Sequence, residues 1–155
     1  MRPASVLVGL ALIAASLGGT AVAAQAATGS VDGSITSGST TCSWTNATTS
    51  DVPPNTLTID HTTIHPSCNG GATASLTNDP TVSFNDSAGT ASSPEVDVSV
   101  TQSGVNCDYR VTNATLNRQG TTRTYTGGPY TANKTGGSFL CPSTETVNST
   151  SLTFH

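Results

Sequence analysis

Charged side chains are scarce in this chain, and basic ones are the scarcest. Only 9% of the residues are charged, with five Lys and Arg against nine Asp and Glu and a net charge of −4. Proteins that bind nucleic acid or anionic membrane surfaces do so largely through clustered Lys and Arg. The composition therefore argues against both kinds of partner, and we expect the protein to bind no nucleic acid.

Long apolar runs are also missing, except at the N-terminus. The chain opens MRPASVLVGLALIAASLGGTAVAAQAATGS, with Arg2 before an apolar stretch and small residues after it. This order is typical of a signal peptide, and we predict a cleavage that removes residues 1–26. An uncleaved membrane anchor is the alternative, because about 20 mostly apolar residues can span a bilayer. After cleavage, residues 27–155 are expected to form a single secreted domain, extracellular or at the cell surface, with no stable membrane span.

Closely spaced cysteine pairs are absent as well. Cys42, Cys68, Cys107 and Cys141 are separated by 26, 39 and 34 residues. Zinc sites usually take cysteines from close pairs such as C-x-x-C, so disulfide bonds are the better interpretation in an exported chain. Three pairings are possible for four cysteines. Short loops and the repeat described below favour the sequential pairing, Cys42–Cys68 and Cys107–Cys141.

The chain is instead rich in alternating apolar and polar residues. The segment PEVDVSVTQSGVNCDYRVT places an apolar residue at every second position on both sides of Ser103-Gly104. Two such runs joined by a short turn predict a β-hairpin. Short alternating runs separated by turns fill much of the remaining chain, and no helical period appears after the signal peptide. We predict an all-β fold, an antiparallel β-sandwich of immunoglobulin-like or related barrel type, with about 7–9 strands.

A short motif occurs twice. CSWTNAT begins at Cys42 and CDYRVTNAT begins at Cys107, and in each case a second cysteine and then the residues SLT follow in the same order. The repeat indicates two β-units, residues 30–92 and 93–155, each with its own disulfide. Chance recurrence in a Thr-rich chain is the alternative. Trp44 and Tyr109 are expected to be buried beside the disulfides, two residues from a cysteine on the same strand face.

The second half of the chain resembles a group of known proteins. The segments GVNCDYRVTNATL, YTG, GGSFLCPSTETV and LTF resemble a diffuse group of small exported disulfide-containing β-domain proteins from Gram-positive soil-type bacteria. These proteins combine a C-x-Y strand with a later L-C-P segment and a closing strand. The resemblance covers residues 93–155 and the export signal, whereas DHTTIHPSC in the first half departs from it. The group has no established activity, so the resemblance implies only an exported β-domain.

Histidines and carboxylates offer no complete catalytic set. His61 and His65 have the spacing that zinc enzymes use on a helix. The pattern around them indicates a strand, on which they would be about 13 Å apart, too far to share one ion. Glu95 and Asp97, two residues apart on one strand face, could form a carboxylate pair for glycoside cleavage. Solubility explains these two residues as well, and we predict no catalytic residues.

Two predicted loop tips carry oxygen ligands. Asn78-Asp79 and Asn85-Asp86 could hold a calcium ion, although Asn and Asp are equally common in turns for conformational reasons. We interpret them as turn residues. The sequence therefore predicts no metal site and no cofactor.

The missing catalytic constellation favours a non-catalytic binding module with an extracellular partner, either a polysaccharide or a protein. Sugar binding would need exposed aromatic side chains, and Tyr125 and Tyr130, which flank TGGP, are the best candidates. Two alternatives stay open. One is a secreted hydrolase of cell-wall or environmental polymers. The other is a self-assembling surface protein, because Thr-rich strands with free edges suit strand addition.

Overall fold

The computed structural model describes residues 28–155. The predicted signal peptide, residues 1–26, lies outside the described residues. The described chain forms twelve β-strands and one 3-10 helix, His61–Thr63. The strands are β1 (Gly29–Ser37), β2 (Thr40–Thr49), β3 (Leu57–Thr58), β4 (Ser67–Cys68), β5 (Thr73–Leu76), β6 (Thr81–Asn85), β7 (Thr90–Gln102), β8 (Val105–Arg118), β9 (Thr124–Gly127), β10 (Tyr130–Gly137), β11 (Thr144–Val147) and β12 (Ser149–Phe154).

The predicted fold class is confirmed, because the described chain is all-β and its strand pairs are antiparallel. The strand count is higher than the expected 7–9. Two of the additional strands, β3 and β4, are only two residues long. β3 pairs with the edge of β6, and β4 pairs with the edge of β2. Segments of two residues are too short to show an alternating pattern in the sequence.

The predicted hairpin is present and forms the centre of the fold. β7 and β8 pair from Thr90–Asn117 to Gln102–Val105, with the turn at Ser103-Gly104. The two halves of this long hairpin have different neighbours. Near its open end β7 and β8 pair with β6 and β9, and near its turn they pair with β5 and β10. The hairpin therefore connects two sets of strands in one twelve-stranded sheet.

The two sequence halves are interleaved in space. The main strand order is β3-β6-β7-β8-β9-β12-β1-β2-β4, so β1 near the start of the described chain pairs with β12 at its end. The predicted disulfide pairing is confirmed, since Cys42 bonds Cys68 and Cys107 bonds Cys141. All four cysteines are thereby used, and zinc ligation by free thiolates does not occur.

The apolar interior is divided into two clusters. The larger cluster includes Val31, Trp44, Leu116 and Leu152, and the smaller consists of Tyr109, Val111, Ala114 and Ala132 with partly buried neighbours. Both aromatic residues of the repeat are buried, as expected, and each lies in a different cluster. In residues 28–155 no helix has the length and apolar character that crossing a membrane requires.

Candidate functional site: an apolar cavity between the two core clusters

A cavity of about 540 Å³ lies between the two clusters. Protein interiors are normally packed as densely as organic crystals, with few voids larger than a water molecule. Ligand sites, by contrast, are clefts or cavities of about 300–1,000 Å³. The volume of this cavity therefore falls in the range of a small-molecule site.

Valines of β7 form one wall of the cavity. Val96, Val98 and Val100 lie on the face predicted to point inward, and each is only partly buried. Val96 packs against the larger cluster and Val98 against the smaller one. The neighbouring strands contribute small residues to the lining. Ala74 on β5 pairs with Val100, and Ala132 lies on β10. Alanines cannot fill the space that the valines leave open, which is why the cavity persists.

The repeated motif supplies corresponding positions on the cavity wall. Cys42 and Trp44 line it from β2, and Cys107 and Tyr109 line it from β8. Alternate residues of a strand share a face, so a cysteine at i and an aromatic at i+2 both point inward. The two disulfides thus lie beside the cavity. They link the wall strands β2 and β8 to the segments that contain Cys68 and Cys141.

The second part of the motif has a matching role. In each TNAT segment the Asn adopts a left-handed backbone conformation, with φ of 56° at Asn46 and 54° at Asn113. Asn is one of the few residues that visits this region readily. The following alanines, Ala47 and Ala114, are buried. In each copy of the repeat, a left-handed Asn therefore interrupts the regular strand between the aromatic wall residue and a buried alanine.

Two phenol groups of the wall are hydrogen-bonded within the protein, whereas the buried Nε1 of Trp44 has no hydrogen-bond partner among the described residues. The Tyr109 hydroxyl donates to the carbonyl of Pro142 at 3.3 Å, and the Tyr130 hydroxyl donates to the carbonyl of Thr115 at 2.6 Å. Burial, and secondarily the charge of Glu145, raises the pKa of Tyr109 above its ordinary value. Burial likewise raises the pKa of Tyr130. Both phenols are thus neutral at pH 7 and use their protons internally.

Only one charged residue belongs to the described cavity lining. Glu145 is exposed on β11 and its carboxylate accepts a hydrogen bond from the Ser37 hydroxyl at 2.9 Å. Gln102 at the end of β7 and the turn or loop residues Ser103, Leu140 and Pro142 are the other exposed lining residues. These residues mark the mouth, where the cavity meets solvent. The lining beyond them contains no charged residue and is mostly apolar, with Ser93 as a buried polar residue.

The two tyrosines proposed as exposed sugar platforms are not equivalent. The prediction that Tyr125 is exposed is wrong, because its ring is fully buried and packs against Phe84 and Phe154, with centroids 5.4 and 6.0 Å away. Its position on β9 opposite Leu152 turns the ring into the core. Tyr130 is partly exposed and lines the cavity. A ligand-binding role for Tyr130 stays a prediction.

The carboxylate pair is engaged in ion pairs. Asp97 accepts two hydrogen bonds from Arg110, at 2.6 and 2.8 Å, and Glu95 lies 3.1 Å from the same guanidinium. The Arg110 side chain, which is paired with both carboxylates, occupies the space between them that a scissile glycosidic bond would need. Their geometry is that of a cross-strand ion-pair network on the outer face of β7 and β8.

The histidine segment differs from its expected structure. His61 begins a 3-10 helix rather than continuing a strand, because the Asp60 side chain caps it by accepting from the amide of Thr62. His61 Nδ1 lies 2.6 Å from Asp79 Oδ1, and these hydrogen bonds lower the pKa of Asp79. Ligand atoms of Asp60, His61 and Asp79 lie within 4.8 Å of one another, without His65. His61 is bonded to Asp79 across two loops, and Asp60 accepts from the amide and hydroxyl of Thr62.

The loop-tip residues also bond to protein donors. Asn78 Oδ1 accepts from the amide of Asp97 at 2.9 Å, and Asn85 Oδ1 accepts from Ser87 and Ala88. Asp86 accepts hydrogen bonds from Arg123, which lower the pKa of its carboxyl group. These contacts are those of turns and loop anchors.

No protein-family model, curated protein or solved structure matches this chain. The resemblance of residues 93–155 to exported bacterial β-domain proteins therefore stays a prediction. The candidate site depends on the geometry of the cavity alone.

Proposed function

We propose that this protein is a non-catalytic binding protein that holds a neutral, apolar small molecule in the cavity between its core clusters. The supporting observation is the cavity of about 540 Å³, which is lined mainly by aliphatic and aromatic side chains. Removal of apolar ligand surface from water would supply the binding free energy, at about 25 cal/mol per Å².

The wall chemistry favours one class of ligand. A buried hydroxyl or charge on the ligand would need a partner, because an unpaired polar group in an apolar site costs several kcal/mol. The phenols of Tyr109 and Tyr130 already donate to backbone carbonyls. A hydrocarbon-like molecule, such as a terpenoid, an acyl chain or a polycyclic aromatic, fits this interior better than a sugar does.

The proposed site of action is outside the cytoplasm. Disulfides form and persist in oxidising compartments, and this protein has two, both beside the cavity. The predicted signal peptide, residues 1–26, supports the same location. A secreted carrier or sensor of an apolar compound would combine these features.

Binding of diphenylhexatriene tests the proposal. This neutral hydrocarbon fluoresces strongly only in apolar surroundings, and we expect wild-type protein to bind it saturably. Val100→Phe adds an aromatic ring to the half-exposed wall position and should reduce the affinity at least tenfold. Thr101→Phe adds the same ring to the adjacent residue, which does not line the cavity, and should bind as wild type does.

The outcomes separate clearly. Circular dichroism and a melting curve establish that each variant is folded before its affinity is compared. Equal binding by wild type and Val100→Phe would refute the cavity as the site. Failure of folded wild type to bind any of a panel of neutral hydrocarbons would refute the function.

A further inference from the structure

The loop between β10 and β11 presents two large apolar side chains to solvent. Phe139 is 90% exposed and Leu140 is 64% exposed, and they are the exposed large hydrophobic residues of the described chain. Leu140 and Pro142 also line the cavity. The exposed apolar surface therefore continues into the mouth, and apolar patches of this kind mark interaction sites.

The backbone of this loop is firmly anchored. The amide of Ser138 donates to the carbonyl of Asn106 at 2.9 Å, and the Lys134 amine donates to the carbonyl of Ser138 at 2.6 Å. Cys141 is buried and bonded to Cys107. The chain is therefore fixed at Ser138 before the two exposed residues and at Cys141 after them. This anchoring keeps Phe139 and Leu140 in solvent-exposed positions.

The charge around the mouth restricts the partner. The turns 37–40 and 102–105 and the loop 138–143 contain no charged residue. Glu145 lines the cavity and the Lys134 amine bonds the carbonyl of Ser138, so the two charges beside the loop have opposite signs. Attraction to an anionic lipid surface requires Lys or Arg near the contact. The single Lys134 is bonded within the protein and offset by Glu145, so attraction to anionic lipid is disfavoured here. Apolar side chains surrounded by uncharged polar turns suit insertion into a zwitterionic lipid interface.

We infer that the loop 138–143 docks this protein on a zwitterionic lipid surface, with the cavity mouth facing the lipid. An apolar ligand would then pass between the lipid and the cavity without crossing water. The identity of the cargo rests on the proposed function, but docking rests on Phe139, Leu140 and the uncharged turns around them.

Co-sedimentation with phosphatidylcholine vesicles tests this inference. We expect wild type to partition onto the vesicles, with little change when the salt concentration is raised, since no cation–anion contact contributes. The double variant Phe139→Ser, Leu140→Ser should lose at least tenfold in the partition coefficient. Phe139→Trp should retain binding, and emission from the new tryptophan should shift to shorter wavelength on the vesicles.

Two further variants distinguish docking from cavity binding. Val100→Phe should fail to bind diphenylhexatriene but still sediment with vesicles. The double serine variant should bind diphenylhexatriene in free solution but not sediment. The inference is overturned if wild type does not bind phosphatidylcholine vesicles, if the double variant binds them equally, or if binding appears only with anionic lipid. Self-association lost in the double variant, without vesicle binding, would assign the loop to a second copy instead.

Discussion

Gly33 lies directly against the ring of Trp44, the single tryptophan of the chain. A Cβ atom at position 33 would overlap the Trp44 ring, with Cζ2 as the nearest atom. The two residues are opposite each other on β1 and β2, next to an irregularity in their register. The absence of a side chain at Gly33 therefore fixes where the Trp44 ring lies, and with it part of the cavity wall.

Gly33→Ala should destabilise the protein by about 1–3 kcal/mol, the usual cost of overpacking a filled site. The urea midpoint should fall, and the emission maximum of Trp44 should shift because its ring has to move. Ser34→Ala, the neighbouring position on the outer face, serves as the control and should change neither quantity appreciably. An unchanged midpoint for Gly33→Ala would show that the ring is not constrained by this contact.

Asp86 links the β6–β7 loop to Arg123. The guanidinium donates to both carboxylate oxygens, at 2.6 and 2.9 Å, and lowers the pKa of Asp86. A lowered pKa in the folded state means that the pair contributes its full stability above the unfolded pKa of about 3.9. That contribution is lost as the pH falls through the folded pKa.

Asp86→Asn should therefore lower the melting temperature at pH 7, and the difference from wild type should shrink as the pH falls below about 4. Melting curves between pH 7 and pH 2 measure this convergence. Asp108→Asn, a carboxylate outside the described ion pairs, provides the comparison. A difference between wild type and Asp86→Asn that stays constant with pH would contradict this explanation.

At the level of elements, the long β7–β8 hairpin pairs with β6 and β9 near its open end and with β5 and β10 near its turn. Its irregular position is at Pro94 and Asn113, between the pairs Ser93–Ala114 and Glu95–Thr112. Proline has no amide hydrogen to donate to the ladder, and Asn113 has a φ of 54°. Both residues relax the regular strand where the neighbours of the hairpin change.

Asn113→Val should destabilise the protein by about 1–2 kcal/mol, because a β-branched residue is strained in the left-handed region. Asn113→Gly should cost less, since glycine adopts that region freely. Thr112→Val, at the adjacent exposed position, controls for side-chain hydrophobicity. Chemical denaturation of the three variants ranks them, and equal losses for Asn113→Val and Asn113→Gly would mean that backbone strain is not the cause.

Local patterns predicted the elements better than the site. Alternation around Ser103-Gly104 identified the hairpin, and cysteine order identified both disulfides. The same alternation placed Val98 and Val100 on an inward face, but it could not reveal that Ala74 on β5 is the strand neighbour of Val100. Which strands face each other depends on long-range pairing, and this pairing also decided that Tyr125 is buried.

For the whole molecule, the two disulfides and two core clusters leave an apolar space that the chain does not fill. Closing loops of 26 and 34 residues, the disulfides contribute about 3–4 kcal/mol each in the chain-entropy account. Such cross-links allow a domain with few large apolar residues to tolerate an unfilled interior. The apolar cavity and the exposed Phe139 and Leu140 beside its mouth together suit the handling of an apolar molecule.

Energy transfer from Trp44 to bound diphenylhexatriene tests the central claim most directly, because Trp44 is the single tryptophan and lines the cavity. We expect Trp44 emission to fall as diphenylhexatriene emission rises, and both changes should saturate. This energy transfer should be absent in Val100→Phe and present in Thr101→Phe. Diphenylhexatriene emission without loss of Trp44 emission, or transfer that persists in Val100→Phe, would contradict a ligand site between the two core clusters.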